Sequence, residues 1–117
     1  MHNFRELQVW KLGMEVAEEV YEVLADLPRE EKYELASQLR RSAVSVPSNI
    51  AEGAGRGSDK EFAHFLNIAT GSAYELETQL LLASKLLKSE NLKIDQILPK
   101  LHQLQKMLYS LIRKYRG

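Results

Sequence analysis

The chain has 117 residues, no cysteine, and 16 Lys and Arg balanced by 16 Asp and Glu for a formal net charge of zero. This length buries a core without covalent staples, so one domain over residues 1–117 is expected, and the missing cysteine excludes disulfides, thiolate metal sites and a cysteine nucleophile. His2, His64 and His102 share no metal-ligand spacing, the N-terminal MHNFRELQVW carries no leader pattern, and nowhere do about 18 apolar residues run together, so a cytoplasmic protein without metal, cofactor or membrane contact is expected.

Four stretches have helical periodicity. The first is predicted from about Phe4 to Asp26, opened by Asn3 with Glu6 three residues on, in the arrangement of a capping box. Leu7, Trp10, Met14, Ala17, Tyr21 and Leu24 line one face, and Val9, Val16, Val20, Val23 and Leu27 line its neighbour. So wide an apolar band exceeds what one helix of a monomeric bundle needs and points to contact with another subunit.

Leu27-Pro28 should end this helix, because a residue before proline is pushed out of the α region. The second helix is predicted from about Arg29 to Ala51 or beyond, with Tyr33, Ala36, Leu39, Ala43, Val46 and Ile50 inward. Pro47 falls inside it and should kink it, since proline donates no hydrogen bond and crowds the carbonyl of Ala43. The following SVPSNIAEGAGRGS, residues 45–58, supplies Gly53, Gly55 and Gly57 for a turn, and Ser58 with Glu61 forms a capping box for the third helix. Phe62, Phe65, Leu66, Ala69, Ala73, Leu76, Leu80, Ala83 and Leu87 give that helix its stripe. After a polar break from Lys88 to Lys93, a fourth helix is predicted from about Asp95 to Tyr115, with Ile97, Leu101, Leu104, Leu108, Leu111 and Ile112 inward and Pro99 near its first turns. Long amphipathic helices joined by short turns define an all-α fold, an antiparallel up-down-up-down four-helix bundle.

Candidate sites fall on helix faces. The glycine run fits neither a phosphate loop nor a dinucleotide fingerprint, both of which need a preceding strand. It reads as a turn, with weak anion contact through Arg56 and Ser58 as the alternative. Gln38, Arg41, Ser45, Asn49 and Glu52 share a face of the second helix, and Gly71, Ser72, Glu75 and Gln79 share one of the third. If the chain turns back near Arg56, Arg41 comes opposite Gly71, within reach of Ser72 and Glu75. An Arg41–Glu75 pair among Gln38, Ser45, Asn49, Glu52 and Ser72 would make an inter-helix polar network that fixes register. The other reading is a recognition surface on which Arg40, Arg41 and Asn49 face a ligand.

Catalysis finds little support. Glu52 and Glu75 lie about 15 residues out of register in that pairing, roughly 20 Å along the bundle. Glu61-Phe-Ala-His64 is a single E-x-x-H, where a di-metal bundle needs two, and Ser45 and Ser48 have no histidine predicted nearby as a base.

Charge is unevenly spread. Residues 1–27 hold two basic and six acidic side chains, a net of −4, whereas residues 91–117 hold six basic and one acidic, a net of +5. Lys100, Lys106, Arg113 and Lys114, interleaved with Tyr109 and Tyr115, suit a phosphate backbone with stackable bases, as do Arg40, Arg41 and Arg56. Cations at a helix C-terminus equally suit the helix dipole with no ligand.

The stretches FRELQVWKLGMEVAEEVY and LASQLRRSAVSVPSNIAEGAGRGSDKEFAHFLNIATGSAYELE resemble the four-helix bundle proteins first noticed as products of intervening sequences in bacterial 23S ribosomal RNA genes, most strongly from Gln38 to Glu77. The resemblance implies a homopentamer with no known enzymatic activity. A related branch is similar to the accessory variability proteins of diversity-generating retroelements, strongly basic pentamers that bind reverse transcriptase and nucleic acid. The expectation is therefore a non-enzymatic, self-associating interaction module for structured RNA or an RNA-associated protein, with no small-molecule substrate. The alternative is a protein-binding scaffold without nucleic-acid contact.

Overall fold

In a computed structural model of the chain, residues 1–27, 34–87 and 92–116 are described, Leu92 by its backbone alone. A 3-10 turn at Phe4–Glu6 precedes four α-helices, α1 Gln8–Asp26, α2 Leu35–Ala54, α3 Asp59–Leu87 and α4 Leu92–Arg116. No strand occurs among the described residues. Each helix packs on the next, and α1 also packs on α4, so the four close around one core in a body 45 × 23 × 20 Å.

The first helix is shorter than its periodicity predicts. The Asn3 side chain accepts from the Arg5 amide at 3.3 Å instead of capping a long helix at Glu6. The amides of Glu6 and Leu7 reach back only three residues, to Asn3 and Phe4, and Leu7 is extended at φ −72°, ψ 124°. A tight turn therefore precedes α1, and Phe4 from it packs edge-on against Trp10 at 5.1 Å. Of the two apolar faces of α1, the valine face enters the core, with Val9, Val16, Val20 and Val23 at most 1% exposed. Met14 and Tyr21, on the other face, stand 36% and 47% exposed, although Ala17 and Leu24 of that face join the valines in the core.

In α2 the predicted inward residues Ala36, Leu39, Ala43, Val46 and Ile50 are all buried. The expected start at Arg29, Pro28 and the inward Tyr33 lie outside the described residues. Pro47 is buried within the helix, its ring 3.6 Å from where a Cβ on Gly13 of α1 would stand. Its missing amide leaves the Ala43 carbonyl without a helical donor.

The glycine run supplies the predicted turn only in part. Because α2 continues to Ala54, Gly53 is a buried helical residue, and a Cβ there would lie 2.7 Å from the Cβ of Phe65. Gly53 thus serves the close packing of α2 on α3. Gly55 closes α2 in an ordinary right-handed conformation at φ −83°, its amide reaching Ala51 and Glu52. Only Gly55 and Gly57 remain in the connection. Ser58 then opens α3, its Oγ accepting from the Glu61 amide at 3.2 Å and donating to the Glu61 carboxylate at 3.1 Å.

Every predicted core position of α3 from Leu66 to Ala83 is fully buried. Helix α4 begins three residues earlier than predicted, which brings Ile94 into the core at 0% exposure and places Pro99 in the helix interior. There its ring is exposed, so water can reach the Asp95 carbonyl that it leaves unbonded. Of the polar break, residues 88–91 lie outside the described residues.

Cross-helix contacts fix direction. Ser42 meets Gln79, Ser45 meets Ser72 and Gly53 meets Phe62 and Phe65, so α3 descends as α2 ascends. Glu77 meets His102 while Phe62 meets Tyr115, and Lys100 meets Glu15 while Lys93 meets Asp26, so α4 runs opposite to both α3 and α1.

Candidate functional site

Between α2 and α3 lies an open polar groove of about 400 Å³, lined by Gln38, Arg41, Ser42, Ser45, Ser72, Glu75 and Gln79. Its floor is built from small hydroxyls on facing turns. Ser42, 6% exposed, donates to Gln79 Oε1 at 2.8 Å, and Ser45 Oγ lies 2.7 Å from Ser72 Oγ. Asn49 Nδ2 donates to the Ser45 carbonyl at 2.9 Å and to its Oγ at 3.0 Å. Buried polar atoms are costly unless bonded, and among the described residues no buried side-chain nitrogen or oxygen is left without a partner.

The helix register differs from the predicted one. Ser45 faces Ser72, so four residues earlier Arg41 comes level with Leu76, about one and a half turns beyond Gly71. The cause is the extension of α2 through Gly53, which moves the turn towards Ser58. Arg41 and Glu75 still line the same groove, but they form no ion pair with each other or with any other described side chain. Glu52 stands apart from the cluster, bound to Arg56 one turn on at 2.8 Å. Ser45, Asn49 and Ser72 therefore share hydrogen bonds, Gln38, Arg41 and Glu75 rim the opening, and Glu52 belongs to neither.

The seven cations proposed for nucleic acid are dispersed. Arg40 and Arg41 are exposed on α2, and Arg56 is held by Glu52 while lying 4.7 Å above the Phe65 ring. Lys106, Arg113 and Lys114 are exposed on α4, where Arg113 lies over Tyr109 and Lys114 over Tyr115. Tyr115 packs on Phe62 and His2 at the end of the bundle where α2 finishes. Arg40 is 14 residues from that end of α2, roughly 20 Å.

Lys100 is engaged within the chain. Its Nζ lies 2.9 Å from a Glu15 oxygen and 2.8 Å from a Glu19 oxygen, and these hydrogen bonds hold its pKa above the usual lysine value. Lys93 reaches Asp26 at 3.2 Å along the same seam. The opposite charges of the two ends thus meet across the α1–α4 packing.

Two features escaped the sequence reading. Ser42 lies one turn after Gln38 on the recognised face, a spacing that could have found it. Glu77 could not be found that way, since its partners come from α4. Gln105 Nε2 donates to it at 2.8 Å and His102 Nε2 lies 3.1 Å away, and chiefly the Gln105 bond, with His102 assisting, lowers its pKa against the opposing effect of burial. His64 is exposed beside Phe65, and no group of three or more His, Asp or Glu able to hold a metal occurs among the described residues. No helix among them is long and apolar enough to cross a membrane.

Fold and groove together define an all-α four-helix bundle whose polar surface lies between helices rather than in a closed cavity. The family model described as 23S rRNA-intervening sequence protein matches residues 5–110, and the chain belongs to that family. Among solved structures it is similar to a protein of unknown function from the S23 ribosomal protein family of Bacteroides thetaiotaomicron VPI-5482, with 26% identity and a TM-score of 0.80 over 89% of this chain and 97% of that one. No curated protein matches the chain.

Proposed function

We propose that the protein is a non-enzymatic, cytoplasmic interaction module that assembles from copies of itself and binds structured RNA or an RNA-associated protein. The observation that carries this reading is the set of exposed cations left after internal pairing. Glu15 and Glu19 occupy Lys100, and Glu52 occupies Arg56, whereas Arg40, Arg41, Lys106, Arg113 and Lys114 have no ion-pair partner among the described residues. Unpaired cations on two helices of a neutral chain suit a polyanion that spans more than one face.

Self-association is supported by the apolar surface that α1 leaves open, chiefly Met14 and Tyr21. Trp10, Met14, Ala17 and Tyr21 line an open groove of about 390 Å³ with Val44, Pro47 and Ala51 of α2. The homopentamer implied by the family resemblance would cover such a face. The second reading, a protein-binding scaffold without nucleic-acid contact, is favoured by Glu18 and Glu22, exposed acids on α1 without an ion-pair partner among the described residues.

Fluorescence polarisation with labelled structured ribosomal RNA fragments tests the first reading. Affinity should fall steeply between about 50 and 200 mM salt, with a log–log slope of roughly −0.7 to −0.9 per phosphate met. Absence of binding at the lowest salt would remove the RNA role and leave the scaffold.

A further inference from the structure

The polar groove between α2 and α3 has a donor and acceptor pattern that selects a ligand. Its volume of about 400 Å³ leaves room for a small planar ligand. Arg41 and Glu75 bring opposite charges to one opening without neutralising each other, so each keeps its hydrogen-bonding capacity for something placed between them. A guanidinium offers a forked pair of donors, and a carboxylate a pair of acceptors.

The floor adds donors. Gln79 receives the Ser42 hydroxyl on its oxygen, which leaves its amide hydrogens available. Ser45 and Ser72 have two hydroxyl hydrogens between them and use one in their mutual bond. A shallower groove alongside shares Glu75 and Gln79 and adds Tyr74, 56% exposed, as an aromatic face for stacking.

A ligand that fits must be flat and polar, with an acceptor pair on one edge and a donor pair on the next. Guanine has this pattern, with O6 and N7 for the arginine and N1–H and the N2 amine for the glutamate. Adenine would turn the N1 lone pair towards Glu75, while cytosine and uracil have no adjacent pair of donors. We infer that this groove binds an unpaired guanine base, through Arg41 on its O6/N7 edge and Glu75 on its N1/N2 edge. That the base comes from RNA rests on the function proposed above.

The probes are short uridine-rich RNAs with one central guanine, inosine or adenine, read by polarisation, and free guanosine and adenosine monophosphate, read by amide chemical shifts of the intact protein. The guanine oligonucleotide should bind at least about fivefold tighter than the adenine one, the discrimination of one bidentate base contact. Inosine, which lacks the N2 amine, should fall between them. Glu75→Gln and Arg41→Lys should each lower the guanine-to-adenine ratio, and the double variant should bring it close to one. Both residues are exposed, so these variants should fold. Lys106→Ala should weaken all three RNAs equally.

Equal affinity of the wild type for the three RNAs would overturn the guanine site and leave RNA binding standing. A guanine preference unchanged in Glu75→Gln and Arg41→Lys would overturn the assignment to this groove. Selective shifts around Ser45 and Ser72 with the guanosine nucleotide, and no binding of any oligonucleotide, would uphold the site and remove RNA as the source. Silence from every probe would overturn both readings.

Discussion

Gly53 and Gly71 show two opposite consequences of a missing side chain. At Gly53 a Cβ would lie 2.7 Å from Phe65 Cβ and 3.2 Å from the Phe62 carbonyl, so α2 and α3 would have to move apart to admit it. Gly53→Ala should therefore cost roughly 1–3 kcal/mol. At Gly71 a Cβ would meet nothing within 4 Å on an exposed turn of α3. Gly71→Ala should stabilise by about 0.5–1 kcal/mol, because alanine loses less backbone entropy in a helix. Urea unfolding of both variants at one protein concentration checks the pair. Glu77 carries a pH prediction at the same scale. Its carboxyl titrates below the ordinary 4.5, so its contribution to stability is full above that value and is lost as pH falls through the lowered folded value. Gln105→Leu removes the main cause of the shift, and urea midpoints of the variant should depend less on pH through the carboxylate range. Lys100 has the opposite sign. Its contribution is full below 10.5 and is lost as pH rises through the raised folded value.

Element boundaries follow local chemistry where it is strong. Ser58 and Glu61 open α3 as their spacing predicts, because a cap needs only residues within one turn. Ser58→Ala should cost about 1 kcal/mol and Ser58→Gly only a few tenths, measurable as a difference in unfolding free energy. Asn3 and Glu6 have the same spacing but open no long helix, since Leu7 leaves the helical region after a single 3-10 turn. The reverse occurs at Ala51 to Ala54, where α2 runs through a glycine that composition marks as a turn. Glycine costs a helix only about 1 kcal/mol, and burial of the flanking Ile50 and Ala54 outweighs that.

At the scale of the molecule, the charge asymmetry of the chain closes on itself. The acidic α1 and the basic α4 are neighbours, and Lys100 and Lys93 bridge them, so part of the +5 at the C-terminal end is spent inside the fold. The unpaired cations then stand on separate faces, and the proposed self-association would gather them. The proposed self-association predicts a solution mass well above the 13.4 kDa of one chain, at five times that value for a pentamer. Tyr21→Glu with Met14→Glu, both on the open face of α1, should reduce the mass towards one chain in light scattering while leaving the helical circular dichroism unchanged.

Periodicity alone determined the four helices and nearly all of the core, because a buried stripe repeats every three or four residues whatever lies opposite. Leu39, Leu66, Leu76, Leu101 and Leu104 were legible in this way. The local cap at Ser58 was legible for the same reason. Only the tertiary structure decided which apolar residues of α1 stay open, Met14 and Tyr21, that Gly53 packs rather than turns, and that Ser45 faces Ser72. It also decided that Lys100 is taken by Glu15 and Glu19, and that Glu77 finds Gln105 and His102. Each of these depends on how two helices meet, and the α2–α3 register in particular follows from how far α2 continues past Ile50. That length comes from packing against Phe62 and Phe65, a contact between residues on different helices that no repeat within one helix encodes.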